Sequence, residues 1–376
     1  MTLDPPDPRV DDPRVPDGAA HLRALAQAPR AAGSAEERAA REYCAGVLRG
    51  LGFDVAIEQF EYSALPGKFG TPVAGALAMV TVIASACLAG LYHAPRAAAY
   101  VLAGGLLILG IFAWRMLGDG VLDLPWMRQR GENLVARRGA EPPRAWLVAH
   151  VDSKSQPIPS KERMLGITLL ALSIVLAVIA IGMTLALGST RTILYLLCVG
   201  LAAAGGRAVV YSVVRNESAG AVDNASGVAA VLSAAAKLDP SAAVGLLIPS
   251  AEELGLAGAR AWVRAHAAEQ ATVLNCDGVD DQGELTIMYT RARPAAIVDA
   301  VQRVASNVNV RRMPPGLLLD SVAFADRGWS AVTVSHGSMR TLARVHTKLD
   351  SLENLSGHSI EPTSAVLARV AEALSR

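Results

Sequence analysis

Four stretches of this chain, residues 73–92, 97–114, 164–187 and 192–210, are apolar on every face and carry almost no charge. About 20 apolar residues are enough for a helix to cross ~30 Å of hydrocarbon, so the pattern predicts four membrane-spanning helices in two hairpins. The alternative for each run is a buried core helix, and the alanine- and glycine-rich end of the fourth, Leu201 to Gly206, fits that alternative best. Pairing favours the fourth span, because an odd number would put parts of one site on opposite sides of a bilayer. Gly104, Gly105 and Gly110 suit close helix packing in lipid.

Outside these runs the period changes. Residues 35–51 read as a helix ending at Gly52, and 53–58 alternate apolar and polar as a strand does. Residues 133–136, 145–150, 244–249, 272–275 and 331–334 read as further strands, separated by helical stretches at 228–238, 256–267, 294–305 and 363–375. Near-continuous apolar strands between helices predict an α/β fold with a mostly parallel mixed sheet covered on both faces. The expected organisation is a disordered, proline-rich tail over 1–20 and a discontinuous α/β domain over 21–70, 118–161 and 211–376. Transmembrane hairpins over 71–117 and 162–210 interrupt that domain.

Composition agrees with this division. The 376 residues are 52% hydrophobic but only 5% aromatic, an excess that the four runs absorb. A formal charge of +1 gives no field to attract nucleic acid, and nothing in the sequence specifies an oligomeric state. The first residues lack a basic region followed by an apolar one, so no cleavable signal peptide is expected. Cys44, Cys87, Cys198 and Cys276 are scattered, without disulfide or metal-finger spacing.

The chemistry lies at the ends of the predicted strands. His150, Glu252, Glu253 and Asp277 each follow a strand, where open α/β sheets place their ligands. An extended His150-Val151-Asp152 puts both side chains on one face, so Asp152 can ligate or fix the imidazole. Asp223, followed by Asn224 and Gly227, reads by itself as a helix cap. Adjacent Glu252 and Glu253 repel each other at the end of an apolar strand and call for a cation or a raised pKa. With His346, the set contains two imidazoles and several carboxylates. That is enough for a pair of divalent cations, with one glutamate left over to move protons.

These segments, in this order, resemble the co-catalytic zinc exopeptidases (peptidase clan MH) that include bacterial leucyl aminopeptidases, aminopeptidase Y and the glutamate carboxypeptidase group. The resemblance runs through Pro29 to Ser34, His150 to Ser153, Asp223 to Gly227, Glu252 to Gly258, and His346-Thr347 with Asp350 and Glu353 to Leu355. It implies a three-layer zinc-exopeptidase fold and two Zn2+ ions, with Co2+ or Mn2+ as substitutes. His150 and Asp277 would hold one ion and Glu253 and His346 the other, with Asp223 bridging. Glu252 would be the general base, and Asp152 the group behind His150. The implied activity is a membrane-anchored exopeptidase, foremost an aminopeptidase acting on peptides; the alternatives are a glutaminyl cyclase or a non-catalytic binding or chaperone subunit.

The sequence departs from the family in three ways. Each hairpin occupies a place where relatives have a short connection, and the family's Asp-His pair before a phenylalanine is here Asp320-Ser321 before Phe324. The flanks of the hairpins carry Lys68, Arg115, Arg128, Arg130, Lys154, Lys161, Arg163, Arg207 and Arg215, against Arg96 and Arg191 at the tips. By the positive-inside tendency this predicts a multi-pass membrane protein with a cytoplasmic catalytic domain.

Overall fold

The computed structural model describes residues 17–189, 192–314 and 316–376; most of the expected N-terminal tail, and Arg191 at a hairpin tip, lie outside them. Two compact units result. The first comprises the described residues up to Tyr62, Met127–Ser155 and Asn216–Arg376; the second comprises those of Ser63–Trp126 and Gln156–Arg215.

The first unit opens with helices α1 (Gly18–Leu25) and α2 (Ala35–Gly50), then strands β1 (Asp54–Ser63), β2 (Arg128–Arg137) and β3 (Ala145–Val148). Gly18 to Ala20 therefore form the first turn of a helix rather than the end of a tail. The Asp17 carboxylate fixes this start by accepting the Ala20 amide. In the second unit, a helical turn at Pro66–Gly70 leads into α3 (Thr71–Gly90), α4 (Pro95–Met116), α5 (Gly120–Asp123), α6 (Ser160–Leu187) and α7 (Thr192–Val210). The chain then returns to the first unit with α8 (Gly227–Lys237), β4 (Val244–Ile248), α9 (Ala257–Ala265), β5 (Thr272–Val279), β6 (Glu284–Tyr289), α10 (Ala295–Val304), β7 (Asn309–Arg312), α11 (Asp320–Asp326), β8 (Ser330–Gly337), α12 (Thr341–Arg344) and α13 (Ile360–Ser375).

The eight strands form one sheet in the order β1-β2-β4-β3-β5-β8-β6-β7. Parallel pairing joins β4 to β3, β3 to β5, β5 to β8 and β6 to β7, while β2/β4 and β6/β8 are antiparallel. The central strands are buried on both faces, and successive side chains enter opposite cores. Leu147, Leu246 and Leu274 pack with Leu22, Leu48, Leu232 and Leu367 of α1, α2, α8 and α13. Trp146, Val148 and Val273 pack on the other face with Trp262 of α9 and Phe324 of α11. The result is the three-layer α/β fold that the alternation predicts.

In the second unit α3, α4, α6 and α7 are long and apolar enough to cross a membrane. Close approach between them depends on missing side chains. A Cβ on Gly205 would sit 2.6 Å from the Gly166 carbonyl oxygen, and one on Gly105 would sit 2.3 Å from the Thr81 hydroxyl. The Tyr195 hydroxyl lies 2.7 Å from that of Thr184 and donates to the Ala180 carbonyl at 3.1 Å, so the polar groups between helices are satisfied. Leu107, Ile111, Trp114, Leu165, Val178 and Ile193 are left exposed.

Candidate metal centre

Four loops and a strand position the candidate ligands. His150 lies two residues beyond the end of β3. Its Nδ1 lies 3.0 Å from the Asp152 carbonyl oxygen, which leaves Nε2 to point inward. The Asp152 carboxylate accepts the amides of Glu252 (3.1 Å) and Glu253 (3.2 Å) and lies 3.6 Å from His150 Nδ1, so it ties two loops together. Glu252 and Glu253 form a single turn of 3-10 helix after β4, entered through Ala251 at φ 57°. Left-handed backbone at a non-glycine residue is uncommon, and here it opens the turn that carries Glu252 to 3.9 Å from His150 and Glu253 to 3.4 Å from His346. His346, at φ 65°, is likewise left-handed. Asp277 lies within β5 rather than beyond its end as the sequence pattern predicts. The strand continues to Val279 through a register shift after Cys276.

Asp223 stands in an irregular turn ahead of α8. The buried Asp350 carboxylate accepts the amides of Val222 (2.6 Å) and Asp223 (3.2 Å). The Asn224 amide donates to the Cys276 carbonyl at 3.0 Å, while its Oδ1 accepts the Gly227 amide at 3.1 Å. Gly220, at φ 57°, precedes this turn, and a Cβ there would meet the Asp223 carbonyl at 2.3 Å. Arg30 ties the Asp223 turn to the His150 loop. Its buried guanidinium donates to the carbonyls of Val151 (2.9 Å), Ala219 (2.6 Å) and Gly220 (3.1 Å).

All six expected donors and acceptors therefore converge. His150 Nε2 lies 3.2 Å from Asp223 Oδ1, 3.6 Å from Asp277 Oδ2 and 3.9 Å from Glu252 Oε2. His346 Nε2 lies 2.9 Å from Asp223 Oδ2 and 3.4 Å from Glu253 Oε1. The donors fall into two groups, His150/Glu252/Asp277 and Asp223/Glu253/His346, each with its ligand atoms within 4.8 Å of one another. His150 Nε2, Glu253 Oε1 and Asp277 Oδ2 are buried without a hydrogen-bond partner. Carboxylates outnumber cations in this buried space, and buried polar atoms left unpaired are costly. The residues fit divalent cations.

The environment splits the adjacent glutamates. Burial raises the Glu252 carboxyl well above its usual range; the His150 imidazole opposes this, while Glu253, Asp320 and Asp277 reinforce it. Burial is the largest influence on Glu253 and acts in the same direction, but the Lys154 ammonium and the His346 imidazole together outweigh it and bring that carboxyl down to about 2. Lys154 Nζ lies 2.5 Å from Glu253 Oε2. In the sequence Lys154 counts among the basic residues flanking the hairpins; its side chain is 18% exposed and paired inside the site. Arg128 and Arg130, counted the same way, lie 3.1 Å and 3.7 Å from Glu61.

Asp320 opens α11 with both carboxylate oxygens buried and unpartnered, and burial is the main cause that raises it to about 8. Ser321, where the family carries histidine, is fully buried, its hydroxyl 2.7 Å from that of Thr333.

The profile described as Peptidase family M28 matches residues 203–371, which include Asp223, Glu252, Glu253, Asp277 and His346. Among solved structures, the aminopeptidase from Aneurinibacillus sp. strain AM-1 aligns with 96% of this chain and 93% of its own at 15% identity and TM-score 0.55. A zinc aminopeptidase from Bacillus subtilis aligns over 95% of each chain at 14% identity and TM-score 0.54. A glutaminyl cyclase from Bacteroides thetaiotaomicron aligns over 95% of this chain and 99% of its own at 12% identity and TM-score 0.55. No curated protein sequence matches the chain. The class is that of the zinc metallopeptidases. Residues 203–371 thus resemble peptidase family M28, and the chain as a whole has the fold that those structures share.

Proposed function

We propose that the chain is a membrane-anchored exopeptidase that uses two zinc ions to remove residues from the amino terminus of peptides. One observation carries the two-metal reading. The oxygens of Asp223 face different imidazoles, at 3.2 Å from His150 and 2.9 Å from His346, as a bridging carboxylate requires. On this reading His150 and Asp277 hold one ion, Glu253 and His346 the other, and Asp223 both. Zinc held in this way supplies Lewis acidity that activates water and stabilises a developing oxyanion.

The chain's own residues do the rest. Glu252, buried beside Glu253 and 3.9 Å from His150 Nε2, takes the proton of the attacking water and hands it to the leaving amine. Asp152 orients both glutamates through their amides. The hydrocarbon of a bilayer is the natural solvent for the exposed leucines, isoleucines and tryptophan of α4 and α6. Aminopeptidases and glutaminyl cyclases share the fold, so a peptide beginning with glutamine separates the readings: free glutamine is the exopeptidase product, and a cyclised terminus is the cyclase product.

The test is turnover of an aminoacyl and a carboxy-terminal peptide panel by the purified full-length protein. Chelation is expected to abolish turnover, and zinc, cobalt or manganese to restore it. Full activity in an extensively chelated sample sinks the proposal.

A further inference from the structure

Glu253 and Glu252 are chemically alike and adjacent, yet only Glu253 has an ammonium beside it. Lys154 Nζ stands 2.5 Å from Glu253 Oε2, while Glu253 Oε1 is 3.4 Å from His346 Nε2 and has no hydrogen-bond partner. The lysine is held from both sides. Ser153 donates its amide to the Arg30 carbonyl at 3.0 Å and accepts the Arg30 amide on its hydroxyl at 2.9 Å. On the other side the Ser155 hydroxyl accepts the Glu217 amide at 2.9 Å. The pairing is also largely dry, with side-chain exposures of 18% for Lys154 and 3% for Glu253.

A carboxylate with both oxygens free can clamp a divalent cation with two bonds. One whose second oxygen is occupied by an ammonium offers a single bond, and the extra positive charge repels the metal. We propose that Lys154 is a positioning residue of the Asp223/Glu253/His346 site, restricting Glu253 to one-oxygen ligation and holding down the cation affinity of that site. The weaker, less saturated ion keeps a coordination position open for substrate, as catalytic zinc sites do. This rests on the two-metal reading above.

The experiment is zinc titration of the demetallated full-length protein in detergent, in competition with a chromogenic chelator. The step belonging to this site is identified by its loss in His346→Ala. Lys154→Met is expected to tighten that step by at least about tenfold, while Lys154→Arg keeps the wild-type value. With cobalt in place of zinc, the visible absorption of Lys154→Met is expected to weaken as an added oxygen ligand raises the coordination number. A lysine that merely supports the loop predicts the opposite, looser binding once it is removed. Unchanged or looser second-step binding in Lys154→Met overturns the proposal. If that variant folds poorly by circular dichroism, Lys154→Gln is read by the same criterion. A wild-type protein with a single zinc step overturns the two-metal reading and this inference together; two steps that ignore Lys154 overturn the inference alone.

Discussion

Glu252 and Glu253 occupy one turn after β4, and opposite surroundings separate them: an ammonium beside Glu253, burial and carboxylates beside Glu252. On the proposed mechanism, Glu252→Gln keeps shape and metal content while removing the proton acceptor. Loss of a general base typically costs about 100- to 10,000-fold in rate. The expected result is near-normal zinc stoichiometry with collapsed turnover. If Glu252→Gln loses zinc and Glu253→Gln retains it, the two roles are reversed. The sequence makes His150, Glu252, Glu253 and Asp277 legible because each follows an apolar run whose end is easy to find, and the structure brings them together with Asp223 and His346. The partner of Glu253 is not legible in this way. Lys154 sits one residue after Ser153 in a polar stretch, and nothing in its spacing tells a lysine that turns inward from one that faces water.

At the scale of elements, α2 and the turn after β4 are joined by one buried carboxylate. Glu37 accepts the Gly33 amide at 2.7 Å and the Ser250 hydroxyl, two residues before Glu252, and is 3% exposed. Burial, reinforced by the charge of Asp152, raises it from 4.5 to about 7. The folded state therefore binds a proton that the unfolded chain releases between these values, so this residue's contribution to stability falls as pH rises from about 4.5 to about 7 and is flat beyond. The loss is on the order of 3 kcal/mol. Glu37→Gln, which mimics the protonated form, is expected to match wild type near pH 4.5 and to melt progressively higher than wild type toward pH 8. A constant difference in melting temperature across that range refutes the assignment. The same scale shows which elements periodicity misses. β7, Asn309–Arg312, is half-exposed or exposed at every position and so has no alternation to detect, and β6 becomes a strand only through its pairing with β7 and β8. The central strands are found readily because burial on both faces leaves their mark in the sequence.

For the whole molecule, the proposed membrane anchoring lets the distribution of charge predict the side of the bilayer on which the catalytic unit lies. With Lys154 paired inside the site, the flanks still carry Lys68, Arg115, Lys161, Arg163, Arg207 and Arg215 in excess of the hairpin tips, so a cytoplasmic catalytic unit remains the expectation. Single cysteines at Ser160 and Ser189, in a background lacking the native thiols, provide the check on intact cells. An impermeant maleimide is expected to label Ser189→Cys and spare Ser160→Cys; the reverse pattern means the orientation is inverted. The two insertions also bear on how the enzyme is made. β3 takes its place between β4 and β5, yet the ribosome delivers it before either neighbour, with α6 and α7 emerging in between. Of the converging side chains His150, Asp152 and Lys154 precede that second hairpin, while Asp223, Glu252, Glu253, Asp277 and His346 all follow it. On the proposed site, a nascent chain is thus chemically inert until both of its apolar hairpins have left the ribosome, and proteolytic competence is the last property it acquires.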